Sequence, residues 1–384
     1  MTWNETKFES IYAEPSRNGV YKPQEFRGTG YKMVNMGELF ANDFINTQPM
    51  DRIQLTDAEL SRSQLLEGDL LFGRRSLIEK GAGKCSLVTK LDEPTTFESS
   101  LIRVRLDKDK VSPRFFFYYL SSPVGRGRVR AIVTGTNVKG IRASVLKSIN
   151  VHLPPLPEQE KISEVLSTYD YLLENNRRRI ELLVRAARLI YEEWFVRLRF
   201  PGYEYGHVLN GLPDGWERSA LGNALTLQRG FDLPVGQRQS GPHPIFASTG
   251  ENGFHNEAKV KGPGVVTGRS GSLGTVLYIP TDFWPLNTTL WIKEFKRVPP
   301  IFAFYLLSSL NLERLNGGAA VPTLNRNDVH RIEVLLPKEE ILSSFDEIVQ
   351  PIFKQQHVLE RQNLKLQKAR DLLLSRLMRG ELQI

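Results

Sequence analysis

The chain has 384 residues, 40% of them hydrophobic and 24% charged, and its 51 Lys and Arg against 43 Asp and Glu give a formal net charge of +8. That is enough chain for two or three domains with cores of their own, and its composition describes a globular protein rather than a disordered one. No apolar run reaches the roughly 20 residues of a membrane helix, the opening MTWNETKFES lacks the apolar core of a signal peptide, and the single cysteine, Cys85, excludes an internal disulfide; the expectation is a cytoplasmic protein with no membrane partner.

From residue 1 to 155 short apolar runs are broken by Gly, Pro, Asn and Asp, as in Gly68–Gly73 (GDLLFG) and Ser148–Leu153 (SINVHL), which predicts strands and turns with a few short helices. Between Val111 and Pro157 there is no acidic residue and there are seven basic ones. Charge alone leaves both a solvated face and a nucleic-acid-contacting face open. Pro154, Pro155 and Pro157 stop the last strand, and Glu158 and Glu160 then fall in the first turn of a helix, where negative charge suits the dipole.

That helix is predicted over 156–199. Ile162, Leu166, Tyr169, Leu173, Asn176, Ile180, Leu183, Ala187, Ile190 and Trp194 are spaced alternately by four and three residues, a coiled-coil seam, and the eight acidic and eight basic residues between Glu158 and Arg199 suit its solvated exterior. About 38 residues at 1.5 Å rise make a rod on the order of 57 Å. Residues 200–215, with Pro201, Gly202, Gly206, Gly211, Pro213 and Gly215, read as a linker. A second mixed domain is expected over 216–337 and a second helix over 338–384, where Pro351 should kink or split it.

The second half repeats the first. Adding 179 to the seam positions lands on Ile341, Phe345, Ile348, Ile352, Gln355, Leu359, Gln362, Leu366, Ala369 and Leu373. Upstream, Phe115–Leu120 with Ser121-Ser122 matches Phe302–Leu307 with Ser308-Ser309, and Ile149, Val151, Leu153 and Pro154 match Ile332, Val334, Leu336 and Pro337. Farther upstream the halves diverge apart from weak pairs such as Gly73-Arg74 with Gly268-Arg269. The expected fold is α+β: two mixed α/β domains separated by an antiparallel coiled coil of two long helices, a pseudo-twofold dumbbell. Asn176 and Gln355 are polar residues on the seam, a device that selects one helix register.

Five segments carry a family resemblance: LPPLPEQEKISEVLS (Leu153–Ser167), ENNRRRIELL (Glu174–Leu183), EEWF (Glu192–Phe195), NGLPDGWE (Asn210–Glu217) and LLLSRLMRGEL (Leu372–Leu382). In this order and spacing the chain resembles the specificity subunits of type I restriction-modification systems. The second Pro-Glu-Gln-like motif departs from the family pattern, reading PKEEI over Pro337–Ile341. The resemblance implies two target-recognition domains, each reading half of a split double-stranded DNA site, with helices that set the gap and dock two adenine methyltransferase subunits; restriction subunits join in the full complex. It places no cofactor in this chain, and S-adenosylmethionine, ATP and Mg on the partner subunits.

Base edges are read by Arg, Lys, Asn and Gln, with Ser and Thr as adaptable partners. The candidates in the first domain are Arg74 and Arg75 after a strand-like run, Lys80 and Lys84 in a Gly-rich turn, Arg126, Arg128 and Arg130, and Thr136, Asn137 and Lys139 in the GTNVKG loop. In the second they are Arg229, Arg238, Arg269 and Ser270, with Thr323 and Asn325 in the loop equivalent to GTNVKG. Tyr118, Tyr119, Phe304 and Tyr305 are expected in cores. Gly81–Cys85 imitates a phosphate loop but has Ile78 where a Gly is needed and Cys85 where the metal-binding hydroxyl belongs. Pro213-Asp214 with Glu257-Ala258-Lys259 spells nuclease elements, yet Asp214 lies in the linker. The expectation is therefore a non-catalytic DNA-recognition subunit, with a self-contained endonuclease and a structural coiled-coil adaptor as the alternatives.

Overall fold

A computed structural model of the chain describes residues 3–78, 81–209, 211–315 and 322–382. The chain divides into two compact units, Met1–Glu174 with Asn363–Ile384, and Asn175–Gln362. Each unit therefore contains a mixed domain and one segment of each long helix.

In chain order unit 1 runs β1 (Asn4–Lys7), β2 (Tyr12–Asn18), β3 (Arg27–Val34), α1 (Met36–Ala41), β4 (Phe44–Ile45), β5 (Asp51–Ile53), α2 (Asp57–Ser63), β6 (Leu70–Gly73), β7 (Arg75–Ser76), β8 (Cys85–Val88), β9 (Thr95–Phe97), β10 (Leu101–Leu106), α3 (Pro113–Ser121), α4 (Pro123–Arg130), β11 (Lys139–Gly140), α5 (Ala143–Leu146) and β12 (Asn150–Leu153). The helix α6 (Leu156–Tyr191) follows and passes into unit 2. Unit 2 continues with β13 (Val208–Leu209), β14 (Leu212–Pro213), β15 (Glu217–Ala220), α7 (Leu221–Ala224), β16 (Leu225–Arg229), β17 (His243–Ala247), β18 (Gly250–His255), β19 (Gly264–Gly268), β20 (Val276–Ile279), β21 (Trp284–Pro285), β22 (Thr289–Phe295), α8 (Pro300–Ser309), α9 (Arg326–His330), β23 (Glu333–Leu336) and α10 (Glu339–Met378), whose last part returns to unit 1.

The units share a topology that extends well beyond the sequence repeat. In unit 1 β1, and in unit 2 β15, pairs antiparallel with the last strand before the long helix: Asn4 opposes Leu153 and Lys7 opposes Asn150, as Glu217 opposes Leu336 and Ala220 opposes Glu333. The main sheets run β2-β10-β6-β8-β4 and β16-β22-β19-β20. Each unit adds a three-stranded sheet, β5-β3-β9 and β18-β17-β21, made of an antiparallel pair and one parallel strand. These strands align although their side chains do not, because ladder hydrogen bonds come from the backbone and tolerate any side chain that suits its face.

The aromatic runs pack as core helices. In unit 1 Ser112 caps α3 by accepting from the Phe115 amide, Pro113 occupies the first turn, and Phe115, Phe116, Tyr118 and Tyr119 are buried with Phe8 and Phe72. In unit 2 Phe302 and Tyr305 of α8 are buried against Tyr191, Phe195 and Phe345, and Phe304 is half-buried at the edge of this cluster. A π-helical turn, Glu192–Val196, ends α6; its wider winding lets the neighbours Trp194 and Phe195 face the same core.

Within unit 1, Asp170 meets Arg370 while Ile162 and Leu166 share a core with Leu377 and Met378, so the helix segments run antiparallel. Within unit 2, Tyr191 reaches Phe345 while Val184 and Arg188 share a groove with Gln356 and His357, again antiparallel. On α6 the seam lies where the heptads place it: Ile162, Leu166, Leu173 and Asn176 are buried, and Ile180 and Leu183 half-buried. On α10 it differs. Phe345 and Leu359 are buried and Ile341, Ile352 and Leu366 half-buried, but Gln355 and Ile348 are exposed, and the covered positions are Leu342, Phe345, Val349, Ile352, Gln356, Leu359, Asn363, Leu366 and Arg370. The covered amide that replaces the expected Gln355 is thus Gln356, one residue farther on, and Asn363 and Arg370 are also polar positions under cover. Pro351 does not split the helix, since α10 is continuous through it; the proline is exposed, so solvent can take the carbonyl that lost its donor.

Candidate nucleic-acid interface

Beyond β6 the chain makes an arm. β7 pairs with β11, placing Arg75 opposite Gly140 and Ser76 opposite Lys139. The Arg74 amide donates to the Ser100 carbonyl at 2.9 Å, and the Arg74 carbonyl accepts from the Ile141 amide at 3.0 Å. The GTNVKG loop is closed on itself: Thr134 and Gly140 exchange two backbone hydrogen bonds of 2.9 Å, and Lys139 Nζ donates to the Gly135 carbonyl at 2.8 Å. Gly135 has φ +105°, and a Cβ there would meet the Val138 carbonyl oxygen at 2.1 Å, so the turn requires glycine. The result presents Thr136, Asn137 and Val138 to solvent beside Arg74 and Arg75.

Unit 2 builds the same arm. The Arg269 amide donates to the Thr288 carbonyl at 2.8 Å, its carbonyl accepts from the Leu324 amide at 2.8 Å, and Ser270 bridges antiparallel to Thr323. Arg269 therefore stands where Arg74 stands, and buried Leu324 where buried Ile141 stands. The weak pair Gly73-Arg74 with Gly268-Arg269 is a structural equivalence.

Several expected contact residues hold the fold together instead. Lys84 Nζ donates to the carbonyls of Phe40 (2.9 Å) and Asn42 (3.4 Å) and pairs with Asp43 at 3.4 Å. Arg126 donates to the carbonyl of Gly83 at 2.6 Å, clamping the turn that imitates a phosphate loop, and burial holds its pKa below the usual guanidinium value. Arg128 donates to the Asn150 carbonyl at 2.7 Å and pairs with Glu5, whose carboxyl it holds below the usual carboxylate range. Asn325 caps α9 by accepting from the Asn327 amide at 3.0 Å. Sequence alone could not separate Lys84, Arg126 and Arg128 from surface cations, because the backbone carbonyls to which they donate are brought close only by folding.

The remaining candidates lie on the surface. Arg75, Arg130 and Arg229 are exposed, and Arg238 is tied at 2.8 Å to both the carbonyl and the side-chain oxygen of Asn252 in the β17–β18 hairpin. Lys80 lies outside the described residues. Leu77 and Ile78, which are not among the expected contact residues, are 84% and 68% exposed at the end of the first arm, with Val138 at 49%. Their signal was weak: an apolar pair after a strand reads as core unless the strand is known to be two residues long. Cys85 is buried, which pushes its thiol pKa up and leaves it inert. Among the described residues no group of three or more His, Cys, Asp or Glu could hold a metal ion, and no helix is long and apolar enough to cross a membrane.

Residues 20–184 match the family described as the type I restriction modification DNA specificity domain. The type I restriction enzyme MjaIX specificity subunit of Methanocaldococcus jannaschii is 24% identical over 360 residues, covering 81% of this chain and 83% of that one. The EcoKI specificity subunit of Escherichia coli is 32% identical over 157 residues, 40% of this chain and 33% of that one. The crystal structure of the type I restriction-modification S subunit from M. genitalium shares the fold, with TM-score 0.66 at 18% identity over 98% of this chain and 96% of that chain. With a duplicated topology, matched arms and these relatives all in agreement, residues 20–184 carry the type I restriction modification DNA specificity domain and the chain as a whole is similar to the specificity subunits of type I restriction-modification systems.

Proposed function

We propose that this chain is the non-catalytic DNA-reading subunit of its complex and that each unit reads one half of a split double-stranded site through its arm. The observation that carries this reading is the equivalence of Arg74 and Arg269, two arginines on the same backbone frame in otherwise divergent surroundings. An arginine at such a position can bond guanine O6 and N7 together, and neighbouring Thr, Asn and aliphatic groups can distinguish adenine and the thymine methyl. On the first arm these are Arg74, Arg75, Thr136, Asn137 and Lys139, with Leu77, Ile78 and Val138 for apolar contact; on the second they are Arg269, Ser270 and Thr323. Arg130, Arg229 and Arg238 would hold phosphates and set register rather than sequence.

In this reading α6 and α10 set the gap between the half-sites and dock two adenine methyltransferase subunits, with restriction subunits joining the full assembly. S-adenosylmethionine would sit on the methyltransferases, which take the target adenine out of the stack, and ATP and Mg on the restriction subunits. Mapping methylated adenines across a genome with and without this chain tests the reading. A single bipartite motif should appear only with the chain present. Robust cutting of DNA by the pure chain with Mg²⁺ would favour a self-contained endonuclease, and an assembled complex whose DNA binding ignores salt would favour an adaptor, since phosphate contacts impose a steep salt dependence.

A further inference from the structure

The main sheet of unit 2 ends at β20, and among the described residues no strand pairs with its outer edge. A free strand edge offers a row of unpaired amide and carbonyl groups, which folded proteins normally cover. Unit 1 contains the cover. There β8, the equivalent of β20, is flanked by β4, with Phe44 opposite Leu87 and Ile45 opposite Val88. The Phe44 ring packs 5.0 Å from that of Phe117 on α3. β4 comes from the connection between β3 and β5, which also carries α1; the corresponding connection in unit 2 is the short turn between β17 and β18.

Among the described residues unit 2 thus lacks the covering strand but keeps its place. Beside β20 lies a cavity of about 700 Å³ walled by Tyr278, Phe304, Tyr305, Phe353 and Tyr191. The counterpart in unit 1 is about 440 Å³, and Asp43, next to β4, forms part of its wall. Phe304 is the repeat partner of Phe117, so the ring that receives Phe44 in unit 1 faces the larger cavity in unit 2. Arg188, Glu192, His357 and Glu360 give the rim both signs of charge, which selects for neither an anion nor a cation. None of the arm residues lines it.

We propose that this groove receives an extended segment of a partner polypeptide, which adds to the edge of β20 through main-chain hydrogen bonds and inserts an aromatic side chain between Tyr278, Phe304 and Phe353. The segment does in unit 2 what β4 and Phe44 do in unit 1. The inference is independent of how the arms read DNA.

The probe is a labelled peptide of the chain's own Ala41–Gln48, which carries Phe44, titrated into the full chain while amide hydrogen exchange is followed. Saturable binding with slowed exchange at Val276–Ile279 is expected, together with about tenfold weaker binding, roughly 1.4 kcal/mol, for the Phe44→Ala peptide and for the Phe353→Ala chain. Absence of binding and of protection would overturn the proposal, as would protection confined to Cys85–Val88 or equal binding of the Phe44→Ala peptide. Concentration-dependent self-association that protects β20 without peptide would overturn it in favour of a second copy as the occupant.

Discussion

Arg370 of α10 places a guanidinium nitrogen 2.6 Å from one carboxylate oxygen of Asp170 in α6, and the Tyr118 hydroxyl donates to the other at 2.5 Å. The side chains of Asp170 and Arg370 are only 10% and 20% exposed, so the aromatic helix of unit 1 and both long-helix segments are fastened by one largely buried carboxylate. Burial pushes the Tyr118 hydroxyl pKa up, and the Asp170 carboxylate adds to the effect. Asp170→Ala leaves Arg370 paired with the exposed Asp371 and should lower stability by about 1.5–3 kcal/mol, the range for a hydrogen bond to a charged group. Urea unfolding of the single and double alanine variants checks this: the Asp170→Ala, Arg370→Ala chain should be less destabilised than the sum of the singles.

Arg74→Ala and Arg269→Ala should each weaken discrimination in one half-site and leave the other unchanged, by about 1–3 kcal/mol for a lost bidentate guanine contact. Binding of the assembled complex to DNA libraries randomised in each half-site measures this. Two variants that relaxed the same half-site, or neither, would contradict the assignment of one arm to each half.

Arg126→Ala should behave differently, because its guanidinium clamps the Gly83 carbonyl. Loss of this charged hydrogen bond should reduce stability by about 1.5–3 kcal/mol with the DNA preference unaltered. Thermal unfolding and the same library selection, run side by side, separate the two effects.

Removing one heptad from each of α6 and α10, about 10 Å of helix at 1.5 Å per residue, should shorten the unspecified gap of the methylated motif and preserve both half-sites. Methylation mapping of the shortened chain provides the readout. A change in the half-sites themselves would mean that the helices take part in reading.

His330 Nε2 accepts the Leu227 amide at 2.8 Å, and burial, with Arg326 and Lys296 nearby, holds its pKa below the ordinary imidazole value. The folded chain therefore takes up this proton less readily than the unfolded one. The contribution is fully present above the unfolded value of about 6.5 and is lost as pH falls through the depressed folded value. The effect is small, because His330 is only partly buried and solvent screens its charge. The urea midpoint should drop as the pH is lowered from about 7.5 to about 5.5, one unit either side of the unperturbed imidazole value, and the drop should be shallower in His330→Gln.

Much of this protein was legible in its sequence because the informative patterns are local. Heptads at Ile162–Trp194 report the covered face of α6, and the repeated aromatic runs mark α3 and α8 as core, since both follow from helical periodicity. Periodicity could not set the seam of α10: Ile341-Leu342 and Ile348-Val349 offer an aliphatic residue to either of two alternating patterns that share Phe345, Ile352 and Leu359. Packing against α6 and the unit 2 core chooses Leu342 and Val349 and turns Gln355 outward. Tertiary structure likewise decided the roles of the cations. Arg74 and Arg126 are the same residue type in similarly basic stretches, but one lies on an arm and the other clamps a turn. That difference depends on backbone groups distant in sequence, which side-chain pattern does not encode.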